Sequence, residues 1–174
     1  MWDFFETVRN RHSTRKYQSD MPIEQEKIHA ILEMACAAPS AGDIQPYRIF
    51  VVSNAAKRKA LSDAADQQAF IAEAPVCLVF CAVPAESSEK FGERGETLYA
   101  LQDTTIAAAY AQLAVVAAGL ASTWVGSFDE DKVRAQLGLE ESLVPVAMLS
   151  LGYPAEIPAH THRAPLSKIV TYTE

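Results

Sequence analysis

The sequence predicts an α+β fold with few strands and one dominant buried helix. Three observations carry that expectation. Short apolar stretches rich in β-branched and aromatic residues occur at 47–53, 76–83 and 144–151. Segments of helical periodicity lie between them, and an alanine-rich run from Thr104 to Phe128 carries no charge at all. With 174 residues, of which 49% are hydrophobic, the chain reads as one domain over residues 1–174, able to bury a core without disulfides or a structural metal.

Taken in order, Phe4, Phe5 and Val8 form an apolar stripe on an opening helix, and a basic run follows at once. Ile28, Ile31, Leu32 and Ala35 fall at the spacing of an amphipathic helix, which Pro39 ends, so that 40–46 is a loop. Residues 47–53 form a strand, 55–65 a helix, and 76–83 a near-continuous apolar strand buried on both faces. Between Pro84 and Thr97 the chain turns polar, with Ser87, Ser88, Gly92 and Gly95, which predicts a surface excursion before a long helix of roughly residues 98–120. Asp129 is placed to cap a short helix that Gly138 ends, with Val133 and Leu137 as its buried pair. A last strand covers 144–151. The tail from Tyr153 carries Pro154, Pro158 and Pro165, so it is extended and needs a surface to lie on, such as a second subunit's.

Charge and composition exclude several classes. Fifteen basic against 22 acidic side chains give a formal charge of −7, which disfavours nucleic acid and anionic membrane as partners. The first twenty residues alternate apolar and charged groups without the apolar core of a secretory signal, so a cytoplasmic location is expected. The run 104–128 is the one candidate membrane span. Its alanines, Gln112, Gly119, Ser122 and Thr123, and the acidic flanks Asp103, Asp129 and Glu130, favour a helix wrapped by protein instead. Cys77 and Cys81 on one strand would share a face about 13 Å apart, beyond disulfide reach, and read as core residues. His160 and His162 find no third ligand at supporting spacing, so no metal is expected. The seven glycines never give the G-x-G-x-x-G pattern of a nicotinamide-binding domain. Ser13 beside His12 lacks an orienting acid, and adjacent residues rarely face one another, so no nucleophilic site is expected.

One cluster carries chemistry. Arg9, Arg11, His12, Arg15 and Lys16 lie within eight residues of an otherwise acidic chain, with the Ser13 hydroxyl between two arginines. Guanidinium forks match phosphate oxygens bidentately and a hydroxyl adds a neutral donor, so the run suits a phosphate. Spacing alone slightly favours a solvated basic patch.

The run Arg11-His12-Ser13-Thr14-Arg15, followed by Lys16 and Tyr17, resembles the opening signature of the nitroreductase family. The stretch from Ala38 to Tyr47, Ala-Pro-Ser-Ala-Gly-Asp-Ile-Gln-Pro-Tyr, resembles that family's proline-serine loop. Ala74-Pro75-Val76, Gly119-Leu120, Leu151-Gly152-Tyr153-Pro154 and Arg163-Ala164-Pro165-Leu166 recur in the family's order, so that the resemblance covers nearly the whole chain.

The resemblance implies a central mixed, mostly antiparallel sheet surrounded by helices, with a long buried central helix, and a homodimer with FMN at the subunit interface. It implies that Arg11, Ser13 and Arg163 hold the FMN phosphate, with His12 along the ribityl chain. Arg15 would lie near the pyrimidine edge, as an electrostatic stabiliser of the reduced ring. Pro39, Ser40, Ala41, Asp43 and Gln45 would come from the partner subunit, Gln68 would approach the flavin edge, and Val125, Gly126 and Ser127 would face the reactive nitrogen. Electrons would pass from NADH or NADPH through the flavin to a small acceptor, such as a nitroaromatic, a quinone or an enone, in ping-pong fashion. No side chain then needs to act as acid or base.

Two departures stand out. Asp43 replaces a usual Asn, and a carboxylate beside the flavin would oppose reduction, so it is expected to turn away and cap its loop. Tyr47 replaces a usual Trp, a mild change. The 84–97 excursion is expected to border the mouth over the flavin. Two other classes remain in view: a flavin carrier or sensor without turnover, and an acidic helical interaction module that binds no flavin.

Overall fold

Four strands, β1 (Tyr47–Val52), β2 (Val76–Ala82), β3 (Ala121–Val125) and β4 (Val144–Gly152), form one sheet in the order β1-β2-β4-β3. Every pairing is antiparallel. The structure is a computed structural model and describes residues 3–159 and 161–173. All seven residues of β2 are buried because both faces of the sheet are covered. Val76, Leu78 and Phe80 pack into one apolar cluster, and Cys77, Val79 and Cys81 into the other. The two thiols therefore share a face as predicted, and burial pushes each up to about 12.

Helices α2 (Gln25–Cys36) and α6 (Ala100–Ala117) cover the first face. They present Ile28, Ile31 and Ala35 from α2, and Ala107, Ala108, Ala111 and Val115 from α6. The alanines explain why a chain with no charged side chain from 104 to 128 is not a membrane span. Small side chains let α6 lie close to both the sheet and α2, where larger ones would hold them apart. Among the described residues no helix is long and apolar enough to cross a membrane. The second face is covered by α3 (Ala55–Ala64), α4 (Ala69–Glu73) and α7 (Glu130–Leu137), through Leu61, Phe70, Ile71 and Val133.

Helix ends follow the local chemistry. Asp3 accepts from the Glu6 amide at 2.8 Å to cap α1 (Phe4–Asn10), and Asp129 accepts from Lys132 at 3.0 Å to cap α7. Gly138 closes α7 at φ +65°. Two expectations need correction. The excursion at 84–97 is on the surface, but it is helical: Pro84 starts α5 (Pro84–Arg94), whose ring pre-sets the first helical φ, and a π-helical turn, Gly95–Tyr99, runs on into α6. The long helix stops at Ala117 rather than near 120, and residues 121–125, unassigned by the sequence, form edge strand β3. The tail carries one short turn, α8 (Leu166–Ile169), and all its described residues from 161 on are exposed.

Candidate functional site

The basic run is not a loose surface segment. It is stitched to the sheet edge, with Ser13 bridging Ser122 of β3, the Thr14 amide donating to Ser122 O at 3.1 Å, and the Thr123 hydroxyl donating to Thr14 O. Further along, the Tyr17 hydroxyl is buried against Ser150, 2.9 Å from its Oγ and 3.1 Å from its carbonyl, and burial pushes that phenol up to about 12. These bonds fix the backbone on both sides of Arg15 and leave Ser13 and Arg15 exposed, with Arg11 and His12 half-buried beside them.

The same segment anchors the tail. The Gln18 amide donates to Tyr153 O at 2.9 Å, the Ala155 amide donates to Lys16 O at 3.0 Å, and Lys16 pairs with Glu156 at 3.0 Å. Residues 153–156 are thereby held alongside 16–18, and the chain beyond them returns to the basic run. Val8, Arg9, Arg11, His12, Thr161 and Arg163 line one cleft of about 490 Å³. Three arginines, a histidine and a threonine, from opposite ends of the chain, thus line one space. A dianionic phosphate suits that donor set. Arg9 and Thr161 are additions that sequence reasoning did not assign; the basic run contained Arg9, but nothing local marks Thr161.

Arg15 lies apart from the cleft, its guanidinium 5.7 Å from the centre of the Phe70 ring on α4. Phe70 and Val125 belong to one apolar cluster with Tyr17, so Arg15, the start of α4 and the end of β3 adjoin the same patch of core. Gln68 is the residue at the N-cap of α4 and is partly buried; Asp66 and Gln67 just before it take φ of +54° and +58°. Val125 is buried, while Gly126 and Ser127 leave the strand exposed.

The proline-serine loop sits elsewhere. Ser40 Oγ accepts from the Gln45 amide at 3.0 Å, and the Gln45 side-chain amide donates to Cys36 O at 2.7 Å and to the Tyr47 hydroxyl at 3.0 Å. The Ala41 amide meets both carboxylate oxygens of Asp103 on α6 at 3.1 Å. Gly42 takes φ +59°, and a Cβ there would lie 2.5 Å from Lys90 Nζ and 3.0 Å from the Phe91 ring, so any side chain would be strained and would have to displace Lys90. Asp43 and Gln45 also take positive φ, +58° and +53°. The Asp43 side chain is exposed and its carboxylate accepts no hydrogen bond among the described residues; Ser40, not Asp43, ties the loop. Pro39 is exposed beside it.

Positions along α6 separate the two regions. Ala41 meets Asp103 in the first turn of α6, whereas His12 shares a second cleft with Val116 near its end. Asp103 and Val116 are thirteen positions apart along the helix, or about 20 Å. The loop therefore does not close the cationic cleft of its own chain. Among the described residues no group of three metal-ligating side chains comes together; His160 lies outside the described residues, and His162 is exposed.

A chain with this sheet, central helix and cationic cleft can be placed among known proteins. The Nitroreductase family profile matches residues 8–72 and 64–153. A protein of Thermus thermophilus named NADH dehydrogenase is 35% identical over 93% of this chain and 92% of its own. The FMN reductase (NADPH) of Bacillus subtilis is 27% identical over 92% of this chain and 69% of its own. Among solved structures, a nitroreductase family protein from Clostridium difficile 630 superposes with a TM-score of 0.87 at 32% identity, covering 99% of both chains. The chain belongs to the nitroreductase family.

Proposed function

We propose that this chain is an FMN-dependent oxidoreductase that takes electrons from NADH or NADPH and delivers them, in ping-pong fashion, to a small oxidised acceptor of the nitroaromatic, quinone or enone type. The single observation that carries it is the meeting of Arg9, Arg11, His12 and Arg163 around one cleft. Family membership and the flavin-linked name of the Bacillus subtilis relative support the cofactor.

Bound FMN would supply the redox chemistry, two electrons in and two out. The chain's own residues do the rest. Arg11, Arg163 and Ser13 hold the phosphate, with Arg9 adding charge and His12 facing the ribityl chain. Arg15 stands against Phe70, where its fixed positive charge favours a more electron-rich ring. The backbone at Val125, Gly126 and Ser127 offers N–H groups, Gly126 with no side chain of its own, and Gln68 closes the edge near α4. Helix α5 borders the pocket mouth, since Lys90 and Phe91 already lie against the loop that helps form it.

Pro39, Ser40, Ala41, Asp43 and Gln45 complete the site of the partner subunit in a cytoplasmic homodimer, because about 20 Å of α6 keeps them from their own chain's cleft. Exposed apolar side chains supply surface for that dimer: Phe4 and Phe5 on α1 are 66% and 67% exposed, and Ile157 and Tyr172 of the tail both 89%.

The test is anaerobic addition of NADH, and separately NADPH, to the FMN-loaded protein. An enzyme bleaches the flavin absorbance with one donor or both, and reoxidation by a quinone or nitroaromatic restores it. Flavin that stays oxidised with both donors would mean a carrier or sensor, and refute turnover.

A further inference from the structure

Asp103 is 4% exposed, and among the described residues no cation pairs with it: its carboxylate accepts from the Ala41 amide, and the Tyr47 phenol lies near enough to feel its charge. Burying a carboxylate in this way is unfavourable unless something is gained. The helical turn Gly95–Tyr99 runs straight into α6, so no free helix N-terminus offsets that cost. What the carboxylate reaches is the loop from Ser40 to Gln45, three of whose residues, Gly42, Asp43 and Gln45, are in the left-handed region. Asp tolerates that conformation, but Gln adopts it rarely and needs surroundings that hold it there. The bonds from Ser40 and Gln45 stay within the loop and its flanks, Cys36 and Tyr47. Among the described residues two side chains hydrogen-bond the loop to the body of the fold: Lys90, exposed and 3.4 Å from Gly42 O, and Asp103, fixed on the central helix.

We propose that Asp103 is a positioning residue of the cofactor site: its buried carboxylate fixes the Ser40–Gln45 loop, which completes the flavin pocket of the neighbouring subunit. The inference rests on the FMN reading above and adds to it a residue that never touches the cofactor.

The experiment compares FMN affinity, by flavin fluorescence, of the full-length wild type with Asp103→Ala, Asp103→Asn, Ala41→Pro and Arg11→Ala. Asp103→Ala is expected to weaken FMN binding about tenfold, the scale of one charge-assisted hydrogen bond. Asp103→Asn recovers most of that loss, because its amide oxygen still accepts from Ala41. Ala41→Pro deletes the same bond from the donor side; Ser40 is already extended, at φ −137° and ψ 158°, as a residue before proline must be. It too is expected to weaken FMN, which keeps the test open should Asp103→Ala not fold.

Mixed dimers of Arg11→Ala and Asp103→Ala chains separate positioning across the interface from a general structural role. Both lesions then fall in one site and the other keeps wild-type affinity, so half of the sites are restored. Asp103→Ala or Ala41→Pro with wild-type affinity, Asp103→Asn no better than Asp103→Ala, or mixed dimers without restored sites would each overturn the proposal. Wild-type affinity in Arg11→Ala would instead count against the flavin reading itself.

Discussion

Replacing Arg163 by alanine separates phosphate recognition from general binding. Arg163 reaches the cleft from the tail and is exposed; among the described residues its guanidinium donates only to the His162 carbonyl, at 3.5 Å, so its removal should disturb the fold little. A hydrogen bond to an ionised group contributes roughly 1.5–3 kcal/mol, and exposure places Arg163 at the low end, about 1.5 kcal/mol. That is about a tenfold loss in FMN affinity. Arg11, partly buried in the same cleft, belongs at the upper end, on the order of a hundredfold. The assay is fluorescence titration with FMN and, in parallel, with riboflavin, which lacks the phosphate. FMN affinity should fall and riboflavin affinity stay unchanged, and the FMN loss should shrink as salt is added. Equal losses for both flavins, or none for either, would refute the assignment of this cleft to the phosphate.

Tyr17→Phe removes a buried hydroxyl paired with both Ser150 Oγ and its carbonyl, and should cost about 1–2 kcal/mol in urea unfolding; an unchanged midpoint would contradict the stitching of the basic run. Arg15→Gln should lower the two-electron potential of bound flavin by on the order of tens of millivolts, read by dye equilibration, and a rise would contradict the electrostatic role. Desolvation raises the Asp103 pKa above 3.8, so the native chain holds that proton more tightly than the unfolded one. Its contribution to stability is therefore greatest below 3.8 and is lost as pH rises through the native value. Asp103→Asn should accordingly be at least as stable as wild type near neutral pH, with a flatter acid limb, and a large drop in its thermal midpoint there would oppose this.

Local chemistry was legible in the sequence where one element decides its own boundaries. Asp129 and Gly138 delimit α7 as expected, and the apolar runs at 47–53, 76–83 and 144–151 match β1, β2 and β4 to within one residue at each end. Strand β3 was hidden because 121–125 continues the uncharged stretch of α6 without a charge or proline to mark the change, and its identity depends on pairing with β4. Helix α5 was hidden because two glycines and a polar composition read as a loop, while Pro84 works equally well as a helix start.

The candidate site divides in the same way. The cationic run announces itself, but only the fold brings Arg163 and Thr161 to it across some 150 residues. The left-handed residues Asp43, Gln45, Asp66 and Gln67 carry no sequence signal, being neither glycine nor asparagine, and the buried partner of Ala41 at Asp103 is visible only in three dimensions.

The most direct test is flavin uptake by the purified chain. The fold and its cationic cleft predict a yellow protein binding one FMN per subunit, whose flavin dissociates when Arg11 is changed to alanine. A properly folded wild-type chain that stays colourless and leaves the fluorescence of added FMN unaltered, even in excess, would contradict the account.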